Sequence, residues 1–207
     1  MIYKTIKEGV TTELIIKKSR FVSISIPLFQ LQDLERELRD TKQKYPGANH
    51  YCFAYVIRQD GLITERCSDD GEPSGTAGWP MLNVLKTRDL ENVLAMVIRY
   101  FGGTLLGTGG LVKAYTQSVQ SSLDSARIVT MEYSQKIAVT LDYSYYSNFE
   151  KQFSNILSQL TDIQYAERVR VELWIAVEME HDFIAKVDNL TLGTAAIEVL
   201  EEGFVLR

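Results

Sequence analysis

The chain has 207 residues, of which 45% are hydrophobic and 24% are charged, and its net charge is −5. This is the composition of an ordinary globular protein, and it excludes an intrinsically disordered chain and a collagen-like fibre. Two cysteines are too few for a disulfide framework, and no apolar run reaches the roughly 18 residues that a membrane span needs. Because the N-terminal stretch mixes lysines with glutamates and has no apolar signal-peptide core, we expect a protein of the reducing cytoplasm.

Charge and glycine content divide the sequence into two parts. The residues before Met131 include 16 basic and 14 acidic side chains (+2), and those from Met131 onward include 6 basic and 13 acidic ones (−7), which sums to −5. Nine of the 13 glycines lie between Gly61 and Gly110. We therefore expect two domains, residues 1–132 and 133–207, with the loop-built functional surface in the first.

Hydrophobic patterning predicts strands and helices in both parts, which is an α+β fold class, with an α/β arrangement in the first part. The Asp60-Gly61 pair between two β-branched and aromatic runs is typical of a two-residue hairpin turn. The run from Asn92 to Phe101 is almost entirely apolar, which predicts a strand buried on both faces. In chain order we expect strand material over 12–28 with a turn near 17–20, a helix over 31–45, hairpin strands over 51–58 and 62–67, a short helix over 80–85, a strand over 92–101 and a helix over 111–129.

Patterning in the second part predicts a complete βαββαβ unit of the ferredoxin-like kind. Apolar residues alternate from Val169 to Val177, as in a strand with one buried face. The helical stripe that precedes this strand consists of Phe149, Phe153, Ile156, Leu157 and Leu160. In chain order we expect a strand over 137–143, that helix, strands over 163–167 and 169–177, a helix over 183–190 and a strand over 197–205, with 133–136 as the join between the domains.

The hairpin register predicts a group of polar side chains at the open end of the hairpin. A two-residue turn makes the numbers of facing residues sum to 121, which places His50 opposite Gly71. An imidazole and several carboxylates at that end can bind a hard cation or exchange a proton. The alternative is that the loop SDDGEPSGTAG only makes tight turns, since Asp, Gly, Pro and Ser are turn residues. The candidate side chains are His50, Asp69, Asp70, Glu72 and Ser74.

A glycine-rich stretch follows the buried strand and leads into the next helix. Successive backbone N–H groups at a helix N-terminus favour phosphate or carboxylate. The spacing matches neither a Walker loop nor GxGxxG, so nucleotide binding of those two kinds is disfavoured. The alternative is that the glycines only allow close packing of the helix on the strand. The candidate anion ligands are Arg99, Gly102, Gly103, Gly107, Gly109, Gly110 and Lys113.

Three motifs follow one another in the first part: HYCFAY at 50–55, SDDGEPSGTAG at 68–78, and RYFGG at 99–103 continued by LG at 106–107 and GGLVKAY at 109–115. Together they resemble the Impact family in its bacterial YigZ-type, two-domain form. The resemblance implies an N-terminal α/β domain of the kind found in a small-subunit ribosomal protein and in elongation factor G. It also implies a ferredoxin-like second domain similar to the last domain of that factor. Eukaryotic Impact proteins restrain a translation-controlling kinase by binding the activator that the kinase needs. The resemblance implies no catalytic residues.

These observations lead to three functional hypotheses. The first is a cytoplasmic translation-associated regulator or binding protein that contacts the ribosome, RNA or a translation factor through the glycine-rich face of the N-terminal domain. The second is a metal- or phosphate-dependent enzyme that uses the His50, Asp69, Asp70 and Glu72 cluster. The third is a protein-interaction module in which Trp79, Trp174 and the acidic second domain meet a basic partner. An anionic small molecule is a candidate ligand, and the sequence identifies no cofactor or metal ion.

Overall fold

The computed structural model describes residues 1–59, 61–156 and 159–207. Their contacts separate into two compact units, an N-terminal one of Tyr3–Thr130 and a C-terminal one of Met131–Arg207 that also includes Met1–Ile2. Both units pack helices on a β-sheet, so the protein has the mixed α/β fold class that the sequence predicts. Asp60 of the expected hairpin turn, Leu157 of the expected helical stripe, and Ser158 lie outside the described residues. No helix within those ranges is long and apolar enough to cross a membrane.

The N-terminal unit is built on a five-stranded antiparallel sheet. The chain opens with β1 (Ile2–Ile6), which the hydrophobic pattern does not predict. The elements that follow are β2 (Val10–Ile16), β3 (Ser19–Pro27), α1 (Leu34–Lys44), β4 (His50–Gln59), β5 (Leu62–Ser68), α2 (Gly78–Thr87), β6 (Val93–Tyr100) and α3 (Thr108–Ser125). The sheet order is β2-β3-β6-β4-β5, so β6 lies at its centre.

Helices cover both faces of this central strand. Val93, Ala95 and Val97 of β6 belong to a hydrophobic cluster with residues of α2 and α3. Leu94 and Met96 alternate with them and belong to a second cluster, against which side chains of α1 pack. Because successive side chains of a strand point to opposite faces, two apolar layers require the continuous apolar run seen in the sequence. The prediction of a strand buried on both faces is confirmed.

The hairpin register is also confirmed. Cα partners of β4 and β5 run from Gln59 and Leu62 to Phe53 and Ser68, and each pair sums to 121. The positive φ of Gly71, +85°, belongs to the loop that continues from β5. A Cβ on that glycine would lie 3.5 Å from Nδ1 of His50, so these two residues do face each other.

The C-terminal unit has the predicted βαββαβ order. Its elements are β7 (Ile128–Leu141), α4 (Tyr143–Gln152), β8 (Leu160–Tyr165), β9 (Val169–Ala176), α5 (Glu180–Thr191) and β10 (Ala196–Leu206). The sheet order is β1-β7-β9-β8, with β10 also paired to β7. Alternating buried residues of β9 pack against phenylalanines of α4 and α5, so the helices share one apolar core with the sheet.

Three sequence predictions about element limits are wrong. The stretch from Tyr133 to Lys136 is not a join, because it lies inside the 14-residue strand β7 and pairs with both β9 and β10. Phe153, Ile156 and Leu160 do not continue the stripe on α4, because α4 ends at Gln152 and Leu160 is the first residue of β8. Helix α3 begins at Thr108 and ends at Ser125, earlier at both ends than the expected 111–129. In each case pairing with distant strands or loop geometry overrides the local pattern.

Candidate functional site

A cavity of about 460 Å³ in the N-terminal unit lies where the two loops singled out in the sequence meet. One wall comes from the start of β4 and the end of β6, which are paired through His50 and Arg99. The other wall comes from the 71–73 segment and the approach to α3. The lining residues are Asn49, His50, Gly71, Glu72, Pro73, Arg99, Phe101, Leu105, Leu106, Gly107, Thr108 and Leu111.

Four of the sequence-predicted site residues line this cavity: His50, Glu72, Arg99 and Gly107. The other eight do not line it: Asp69, Asp70, Ser74, Gly102, Gly103, Gly109, Gly110 and Lys113. The apolar part of the wall was not predicted, because Phe101 looks like the end of the buried strand, and Leu105 and Leu106 look like ordinary loop residues. The position of Leu105 and Leu106 between Gly103 and Gly107 is the signal that points to them in the sequence.

A buried ion pair forms the polar base of the site. Arg99 Nη1 donates to Oε1 of Glu72 at 2.6 Å, and both side chains are almost completely buried. Arg99 reaches this position from the end of the central strand, and its guanidinium also lies over the rings of Phe21 and Phe101. The Glu72 carboxylate compensates the Arg99 charge, so the pair is electrically neutral as a unit.

Two further acidic groups in this region keep their protons. The hydroxyl of Tyr115 donates to Oε1 of Glu72 at 2.8 Å, and burial raises the pKa of Tyr115. The thiol of Cys52 lies 3.4 Å from that hydroxyl and 3.0 Å from the carbonyl oxygen of Asp69. Burial also raises the pKa of Cys52 to about 12. At neutral pH neither group is a nucleophile, because the charged forms are disfavoured by desolvation.

The hydrogen-bond partner of His50 determines which ring nitrogen carries the proton in the neutral imidazole. Nδ1 lies 2.9 Å from the carbonyl oxygen of Asp70, which only accepts, so Nδ1–H is the donor. The other nitrogen, Nε2, lies 3.8 Å from Oε1 of Glu72, beyond direct hydrogen-bond distance. When the imidazole is neutral, Nε2 of His50 and Oε1 of Glu72 are both hydrogen-bond acceptors. An external hydrogen-bond donor can therefore bridge these two acceptors from the side of the cavity.

The two aspartates of the loop accept hydrogen bonds from backbone N–H groups. Asp69 accepts from the backbone N–H groups of Gly75, Ala77 and Gly78 at 2.8–3.0 Å, which closes the loop onto the start of α2. Asp70 accepts from the backbone N–H of Tyr51 at 2.6 Å. The turn-forming alternative therefore describes Asp69 and Asp70, while Glu72 alone among the loop carboxylates lines the cavity.

Asp69 should make the stability of the N-terminal unit depend on acid pH. Burial by itself would raise the pKa of Asp69, but the three backbone donors together hold it below its ordinary value. A carboxyl whose pKa is lowered by folding stabilises the native state above its unfolded pKa, about 3.9. That stabilisation is lost as the pH falls through the lower, folded value. Below about pH 5, we expect the urea midpoint of Asp69→Asn to vary less with pH than the urea midpoint of the wild-type protein. The control is Asp40→Asn at an exposed position of α1, and an equal flattening in that variant would contradict the assignment.

The glycine-rich stretch has mainly a backbone role. A Cβ on Gly102 would lie 2.0 Å from the carbonyl oxygen of Lys18, so glycine is required where this segment crosses the β2–β3 turn. Gly103 and Gly107 have positive φ of 81° and 72°. Gly107 precedes α3, which has no side-chain cap, so the first backbone N–H groups of this helix lack an internal acceptor. The close contact of Gly102 is with a turn and not with the helix that the packing alternative assumed.

The described ranges 1–59, 61–156 and 159–207 contain no group of three or more His, Cys, Asp and Glu side chains arranged to hold a metal ion. Asp69 and Asp70 bind backbone N–H groups, and Glu72 binds Arg99. These engagements leave the predicted hard-cation site without its ligand set.

Sequence comparison assigns the part of the chain that builds this cavity. The model of the "Impact N-terminal domain" matches residues 17–123. The chain belongs to the Impact family. "IMPACT family member YvyE" of Bacillus subtilis is 36% identical over 95% of this chain and 90% of its own length. "IMPACT family member YigZ" of Escherichia coli is 31% identical over 90% of this chain and 92% of its own length.

A solved structure has a similar fold over nearly the whole chain. The crystal structure of a hypothetical protein matches with a TM-score of 0.63 and 27% identity, and it covers 97% of this chain and 98% of the other. The resemblance read from the three motifs is therefore confirmed over nearly the whole chain.

The two tryptophans of this Impact-family chain lie in different environments. Trp79 is 60% exposed and lines a second cavity of about 440 Å³ together with residues of α2 and α3. Trp174 is half-buried in β9 and lines a depression of about 200 Å³ in the C-terminal unit. The side chain of Trp79 is thus available to a partner, while Trp174 is only partly exposed.

Proposed function

We propose that this Impact-family protein is a translation-associated regulator that acts by binding a protein component of the translation apparatus. Membership of the family supports the translation role, because the eukaryotic Impact proteins restrain a translation-controlling kinase through a protein–protein contact. The contact surface proposed here is the rim of the 460 Å³ cavity, formed by Phe101 and Leu105.

The exposed apolar rim is the observation that carries this proposal. Leu105 is 83% exposed and Phe101 is 44% exposed, and both border the same cavity. Large apolar side chains beside a pocket are typical of binding anchors, since a partner buries them against its own surface. The buried base of the cavity is a neutral ion pair, and the described lining residues include no further lysine or arginine, so the surface suits a protein better than an RNA backbone.

The catalytic alternative has less support from the geometry. A phosphoryl-transfer or hydrolysis site requires free carboxylates or an activated nucleophile. Asp69 and Asp70 are held by backbone N–H groups, and Cys52 and Tyr115 remain protonated at neutral pH. The observed geometry therefore supports a binding function better than a catalytic one.

The rim is tested by Leu105→Asp against Leu62→Asp. Leu62 is the matched control, because it is 72% exposed on β5 in the same unit but does not line the cavity. We expect Leu105→Asp to weaken co-sedimentation with purified ribosomes or purified translation factors at least about tenfold, since a charge would replace an apolar anchor. Leu62→Asp should stay within about twofold of wild type.

Salt dependence separates a protein partner from RNA in the same assay. Binding to RNA falls steeply with salt and disappears after ribonuclease treatment, whereas an apolar protein contact persists. No co-sedimentation of the wild-type protein with ribosomes or any factor would overturn the proposed function. Equal losses in the two leucine variants would overturn the assignment of the rim.

A further inference from the structure

Arg99 has more hydrogen-bond donors than partners. A guanidinium carries five N–H donors. In the described part of the chain, Nη1 donates to Glu72 and Nη2 donates weakly to Ser19 at 3.4 Å, while Nε is buried and has no partner. The whole residue is only 5% exposed. Buried donors without acceptors are rare in folded proteins, and they indicate a missing acceptor at the site.

The start of α3 supplies more donors to the same cavity. Gly107 and Thr108 line it beside Arg99, and α3 is an 18-residue helix without a side-chain cap. The first N–H groups of such a helix favour a negative charge. Two independent features, a buried guanidinium with unmet donors and an uncapped helix start, therefore border the same cavity.

We propose that this cavity binds a small organic anion, with one carboxylate or phosphate group attached to an apolar body. The oxyanion would be held by the second N–H groups of Nη1 and Nη2 of Arg99, which Glu72 and Ser19 do not use, and by the start of α3. The apolar body would lie against Phe101, Leu106 and Leu111. Because Glu72 already compensates the charge of Arg99, the site suits one oxyanion group and disfavours polyphosphates.

The two acceptor atoms of His50 and Glu72 specify one further feature of the ligand. An amino group of the ligand, which has more than one N–H, would bridge Nε2 of His50 and Oε1 of Glu72, which are 3.8 Å apart. A bound ligand would also lie directly under Leu105. Control of partner binding by such a ligand rests on the proposed function, but binding of the anion itself does not.

The first test uses small aromatic probes with the full-length protein. Benzoate and phenyl phosphate carry the two oxyanions on an apolar ring, and benzyl alcohol is the neutral control. We expect saturable binding of at least one anion by calorimetry or ligand-detected NMR, at least about tenfold tighter than that of benzyl alcohol. The stronger of the two anions identifies the oxyanion source. Equal binding of benzyl alcohol, or no saturation by either anion, would overturn the proposal.

The second test uses two substitutions with opposite expected signs. Glu72→Gln keeps an acceptor for Arg99 and Tyr115 but removes the compensating charge, so anion affinity should rise about tenfold. Arg99→Lys keeps the charge but loses the fork of donors, so affinity should fall at least about tenfold. Arg88→Lys, at a surface ion pair with Asp124, is the control and should change nothing.

The opposite signs separate ligand binding from loss of fold, because a destabilised protein does not bind more tightly. If either variant does not fold, the other variant and the wild-type probe series still decide the question. Equal affinities in wild type and Glu72→Gln would overturn the assignment of the site. Ribosome co-sedimentation is measured separately, so failure of anion binding and failure of the proposed function give different results.

Discussion

Replacing Glu72 with alanine is expected to lower the free energy of unfolding of the N-terminal unit by about 3–5 kcal/mol. The change leaves the Arg99 guanidinium buried without its counter-charge and leaves the Tyr115 hydroxyl without its acceptor. Removing one member of a buried pair costs far more than the pair contributes, because the remaining charge stays desolvated. Urea denaturation followed by tryptophan fluorescence measures this loss, since Trp79 reports on the same unit.

Glu65→Ala is the matched control for this experiment. Glu65 pairs with Lys86 in the same unit, but at the surface, where both side chains are substantially exposed. An exposed ion pair contributes at most about 1 kcal/mol, since water and salt screen it. Similar losses in Glu65→Ala and Glu72→Ala would mean that the Glu72 carboxylate is solvated, and the description of the cavity base would be wrong.

Gly102→Ala is expected to destabilise the same unit by about 3 kcal/mol, even though only one methyl group is added. A Cβ at this position would lie 2.0 Å from the carbonyl oxygen of Lys18 and 2.5 Å from the backbone nitrogen of Ser19. These neighbours are backbone atoms of a tight turn and have no rotamer by which to move away. The turn or the whole glycine-rich segment must shift, so the approach to α3 loses its position.

The same substitution at Gly109 gives the control. Gly109 is the second residue of α3, and a Cβ there meets nothing within 4 Å. Alanine is the better helix former by up to about 1 kcal/mol, so Gly109→Ala should leave stability unchanged or slightly higher. Urea midpoints of both variants, measured together, test the pair. Equal stability of Gly102→Ala and wild type would contradict the close crossing of the two segments.

The proposed ligand site connects these stability predictions with function. The Glu72–Arg99 pair and the close approach of Gly102 to the β2–β3 turn fix the positions of the two loops that line the cavity. These loops are far apart in the sequence. A natural protein that keeps an arginine with unmet donors in its interior carries a stability cost. Functional sites commonly retain such costs, because the groups are needed when a partner or ligand is bound.

Much of the fold followed from local patterns in the sequence. The continuous apolar run of β6 required cover on both faces, and the strict alternation in β9 required cover on one. The Asp60-Gly61 pair in the sequence predicted the β4–β5 register, and that register brings His50 opposite Gly71. These features depend on periodicity and turn geometry, which neighbouring residues determine among themselves.

Tertiary structure alone decided how the polar residues are used. Asp69, Asp70 and Glu72 are chemically similar neighbours in one loop, yet two of them bind backbone N–H groups and the third pairs with Arg99 from a strand 27 positions further along the chain. The extension of β7 through Tyr133 likewise depends on a partner at Phe204. A short-range pattern contains no information about such partners, because hydrogen bonds and ion pairs form between atoms that only the folded chain brings together.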